Sequence, residues 1–185
     1  MKHIFLALLV CSCLSSFAQQ NPTDVDKSPM DVSYCPANYP ILKMNGKVKD
    51  QPVARVLYSR PQKAGREIFG NLVSYNQVWR LGANEATEIE FFKNVKIGGK
   101  SIPKGRYTMY AICTPDKWTI IFNSEKDVWG LSYNQKKDVA RVEVAVENMP
   151  QTVENLTMFF DTISANSSSL NIWWDNVRVS VPFSY

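Results

Sequence analysis

The chain is a succession of short apolar alternations cut by turn signals. "PVARVLYS" alternates from Val53 to Tyr58, and "TEIEFF" puts Thr87, Ile89 and Phe91 on one face. A strand turns successive side chains to opposite faces, so period-two patterns mark half-buried strands. "VARVEVAVE" sends Ala140, Val142, Val144 and Val146 one way and Arg141 and Glu143 the other. "NVKIGGKSIPKGRYTMYAIC" reads as strand, Gly98-Gly99 turn, Pro103-Lys104-Gly105 turn and strand. "KWTIIFN", "ENLTMFFD", "SLNIWWD" and "NVRVSVPF" complete the series. Such closely spaced β-branched and aromatic runs predict an all-β fold: a single-domain antiparallel β-sandwich, jelly-roll or Ig-like. A helical period extends at most a turn or two, around 67–78.

The ends of this pattern set the organisation. "MKHIFLALLVCSCLSSFAQQ" begins with a positive Lys2 and an apolar run too short to span a bilayer. Small residues Ser16 and Ala18 precede Gln19. This is the form of a secretory signal over residues 1–18, cleaved near Ala18. Lipidation at Cys13, behind Ser12, is the alternative. Residues 19–38 are polar and Pro-containing and read as an N-terminal linker, leaving 39–185 for the sandwich. The expected destination is periplasmic or secreted. No later run approaches a membrane span.

Composition narrows the chemistry. The only histidine is His3, within the expected signal. A mature chain without it has no Ser-His-Asp triad, no Cys-His dyad and no His-ligated zinc or iron. Cleavage removes Lys2 and brings the net charge from +4 to +3, and no long Lys/Arg run occurs. Nucleic acid is therefore not an expected partner. No cofactor is expected, and nothing in the pattern sets an oligomeric state. Cys35 and Cys113 remain, and an exported chain can join them as a disulfide or keep them as buried thiols.

Two blocks stand apart from plain strand sequence: "YSRPQKAGREIFG" (58–70) and "VWRLGANEATEIEF" (78–91). Together they resemble the hallmark blocks of the domain of unknown function 2911 family. "GRYTMYAI", "WTIIFN" and "LNIWWDNVRVSVPF" are similar to its later strands. Ala64 lengthens one loop and Ser74 stands where a proline is expected, which bears on loop shape. The resemblance implies an exported, β-rich protein, mainly from Bacteroidetes and related bacteria. It implies no assigned reaction.

The same blocks hold the candidate chemistry. Pro61 ends a strand ladder, placing Arg60 at a sheet rim; Arg66 and Arg80 follow in loops. Three guanidiniums at one end of a sandwich would trap a carboxylate or phosphate. Alternatively they pair with acids and carbonyls to pin loops. Trp79 can stack on a sugar or plug the sandwich end, and Asn84 suits a tight turn. Glu85 is a ligand anchor or a weak candidate for a catalytic base. A two-carboxylate hydrolase needs a second acid, for which Glu67, Glu88, Glu154 and Asp175 are candidates. No calcium-loop motif appears, and no metal site is expected.

The residues point to a binding module. Arg60, Arg66, Trp79, Arg80, Asn84 and Glu85 would hold a small anionic or sugar-like ligand. A His-free hydrolase or lyase, and a structural protein of the cell envelope, are the alternatives.

Overall fold

A computed structural model describes residues 24–185. The expected signal, its cleavage near Ala18 and the Cys13 alternative lie outside them. Strand β1 (Met30–Cys35) is followed by helix α1 (Tyr39–Met44) and β2 (Ala54–Ser59). Short β3 (Val78–Trp79), β4 (Glu88–Phe91), β5 (Val95–Ile97) and β6 (Lys100–Ile102) lead into β7 (Gly105–Cys113) and β8 (Lys117–Asn123). Two long strands, β9 (Asp138–Ser164) and β10 (Ser167–Ser184), end the chain. The ten strands run antiparallel in the order β1-β2-β4-β7-β8-β9-β10-β5-β6, with β3 beside β7.

The sheet becomes two facing layers because the β9–β10 ribbon folds over. Pairing jumps from Asp175–Val153 to Val177–Asn148. Beyond that bulge β10 turns back on itself: Ser180 donates to the Asn171 amide oxygen, and the Tyr185 N–H donates to the Asn166 carbonyl. Nine residues of straight strand would span about 30 Å, so those contacts require the bend. The folded ribbon lies across β1 and β2. Ser33 Oγ and Tyr58 Oη both donate to the Met158 carbonyl, and the Leu156 N–H reaches Pro61. The sandwich expectation holds.

The alternations fall where the pattern put them. Thr87, Ile89 and Phe91 are buried, as are Ala140, Val142 and Val144, while Val146 is half-buried. Trp174 faces the core and Trp173 is half-buried on the other side.

Three readings sharpen. The 67–78 segment is not helical: left-handed Gly70 and Asn76 interrupt it, and it forms turns with a Phe69–Val73 bridge. The helix lies instead at Tyr39–Met44, opened by Pro40 in its first turn. The expected linker carries β1, held to β2 from Met30–Ser59 to Cys35–Ala54. Finally, Cys35 and Cys113 are free, buried thiols. Their strands stand three places apart in the sheet, about 14 Å at ordinary strand spacing. A disulfide reaches roughly half that.

Candidate functional site

The expected motif is one line of strand beside β7, interrupted by a loop. β3 pairs with the end of β7 and β4 with its start. Between them the chain leaves at Trp79 and returns at Glu88. The Thr87 N–H closes the excursion on the Arg80 carbonyl, and Thr87 Oγ1 donates to Leu81 at 2.8 Å. Leu81 is wholly buried in the left-handed region, at φ 57°. Ser59 clamps the loop from β2: its Oγ accepts from the Ala83 N–H at 2.7 Å and donates to the Ala83 carbonyl at 2.6 Å.

The candidate residues do not converge. Arg60 reaches Asp31 at 3.1 Å, Thr157 and the Leu156 carbonyl, which pins β2 to β1 and β9. Arg66 donates to the carbonyls of Lys63 and Gln62 in its own loop. Trp79 donates its indole N–H to Gly82 and packs into an aromatic cluster. Asn84 is left-handed and donates to Asp26. Glu85 is exposed, in a groove shared with Glu88 and Asp127, both of which Arg106 engages. The Arg80 guanidinium makes no hydrogen bond among the described residues. Its guanidinium carbon lies 6.0 Å from the Trp129 ring, with Nε buried and unpartnered. Arg66 and Trp79 thus bond within their own loops, Arg60 and Asn84 bond other segments, and the Arg80 and Glu85 side chains lie apart from them.

A different cleft forms beside them, at the fold of the β9–β10 ribbon. Its volume is about 340 Å³. One wall is the 67–75 loop, with Glu67, Phe69 and Tyr75; the other is the bend, with Asn148, Asp175 and Asn176. Thr114, Pro115 and Trp118 close the β7–β8 side. The floor is aromatic: Phe69 lies 5.1 Å from Trp118, centroid to centroid, and 6.3 Å from Trp174. Behind it Trp79 stacks on Trp174 at 6.0 Å and meets Trp118 edge-on at 5.9 Å. Trp174 is fixed by its indole N–H on the Glu154 carbonyl at 3.1 Å.

The rim is polar. Asp175 is left-handed at φ 55° and is ion-paired to Lys63. The Glu67 carboxylate has no partner among the described residues. Glu154 is occupied by the Ala64 N–H at 2.7 Å. Two carboxylates weighed as partners for Glu85 therefore line this cleft without it. Sequence reasoning missed Phe69, Tyr75, Trp118 and Asn148 as site residues. The Phe69–Tyr75 spacing across a glycine was the available signal: Gly70 has no Cβ, and one placed there would stand 2.9 Å from the Tyr75 ring. Among the described residues no cluster of His, Cys, Asp and Glu could hold a metal.

Fold and site together define an all-β protein with an aromatic-floored, polar-rimmed cleft at a strand bend. The chain belongs to the family described as "Protein of unknown function (DUF2911)", whose model matches residues 40–183. No curated protein and no solved structure matches it.

Proposed function

We propose that this is an exported binding protein that holds a small sugar-like ligand in the cleft between Glu67 and Asp175. The observation that carries the reading is the combination of an aromatic floor with amide and carboxylate groups above it. Apolar sugar faces stack on rings, while hydroxyls need fixed donors and acceptors at the edge. The block that carries the first part of the family resemblance supplies Glu67 and Phe69; the second supplies Trp79, which backs the floor. The motif thus supports the cleft from behind, while Arg60 ties strands together and Arg66 pins its own loop. Export rests on the signal pattern of residues 1–18.

A panel of neutral mono- and oligosaccharides, followed by thermal shift and protein NMR, tests the reading. A ligand at 100 times its Kd adds about 2.7 kcal/mol of stability. Asn176→Ala, at an exposed rim position, is expected to weaken binding with the melting temperature of the free protein unchanged. Absence of any shift across the panel discards the cleft as a sugar site.

A further inference from the structure

We infer that this cleft selects an amine-bearing sugar ring and rejects an acidic one. The inference rests on the sugar-cleft reading and names its ligand class. Two carboxylates, Glu67 and Asp175, line the cleft, and no lysine or arginine does. Lys63 neutralises Asp175 from outside the lining, through the ion pair at the bend. Glu67 is left with its charge uncompensated among the described residues, so the cleft presents one net negative charge. The rings of Phe69 and Tyr75 add to this, because the face of an aromatic ring carries negative potential and attracts cations. An ammonium on a sugar ring seated over those faces meets Glu67 at the rim. A carboxylate in the same place meets repulsion and finds no guanidinium.

Three ligands with one ring separate the charge effect from the sugar effect: glucose, glucosamine and glucuronate. Protein-observed NMR titrations run at about pH 6, where the amine is protonated and the carboxylate ionised. Glucosamine is expected to bind about fivefold more tightly than glucose, the upper range for a solvent-screened pair. Glucuronate is expected to bind most weakly, and added salt to narrow the spread. Glu67→Gln should erase the glucosamine preference while leaving glucose binding in place, and Glu67→Lys should reverse the order in favour of glucuronate. Glucose bound as tightly as glucosamine, or glucuronate bound best by the natural protein, overturns the charge selection and leaves the sugar cleft standing. No binding of any of the three overturns both.

Discussion

Arg80 is the residue whose role differs most between a buried ion pair and a free group. It has no carboxylate partner among the described residues and rests on the ring of Trp129, which is 52% exposed. Arg80→Ala is therefore expected to lose only about 1 kcal/mol in urea unfolding, the range of an exposed cation–π contact. A loss of several kcal/mol would reveal a buried partner instead. Gly82 should be far less tolerant. A Cβ there would sit 2.6 Å from Ser59 Oγ, the atom that clamps Ala83 through two hydrogen bonds. Gly82→Ala is expected to lose about 1–2 kcal/mol, since the half-buried Ala83 amide and carbonyl lose their partner. An unchanged denaturation midpoint would show that Ser59 is not the clamp. A plug role for Trp79 was legible as one of two, beside stacking on a sugar, and its packing against Trp118 and Trp174 fits it. Arg80's was not, since its ring partner belongs to a different loop far along the sequence.

At the level of elements, the bend in β10 builds one wall of the cleft, and it depends on Asp175 at φ 55°. Asparagine enters the left-handed region readily and alanine does not. Asp175→Asn should keep the bend and lose only the charge of the Lys63 pair. Asp175→Ala should lose about 1–2 kcal/mol more. Equal melting temperatures for the two variants would show that backbone strain plays no part there. The strands themselves were readable because alternation survives any tertiary arrangement that buries one face. "VARVEVAVE" and "TEIEFF" point inward as their patterns required. The fold of the ribbon was not readable. "SLNIWWD" and "NVRVSVPF" read as two runs, with the buried phase switching from even to odd positions at Asp175-Asn176, which marks a break but not the direction in which the ribbon folds. The 67–78 segment, expected to hold at most a short helix, holds none, because Gly70 and Asn76 adopt conformations that end one. The cleft was not readable either, since its two walls are that loop and that bend.

For the molecule as a whole, the buried thiols tie stability to pH. Burial pushes the Cys113 thiol well above its ordinary range, and it raises Cys35 against an opposing pull from Ser168. A raised folded value means the native state keeps protons that the unfolded chain releases. That contribution is full below the unfolded cysteine value of about 8.5 and is lost as pH climbs beyond it. Urea midpoints should therefore fall between about pH 8.5 and 10, and Cys113→Ala should flatten the slope. An identical slope in that variant would place the titration elsewhere. The sheet order carries a consequence in time. β5 pairs only with β6 and with the extreme end of β10, at Phe183 and Ser184. The residues that seat this hairpin are thus synthesised long after it. Contacts so distant along the chain form late and slowly. A nascent chain with this wiring keeps the β5–β6 hairpin unseated until synthesis has delivered Phe183 and Ser184.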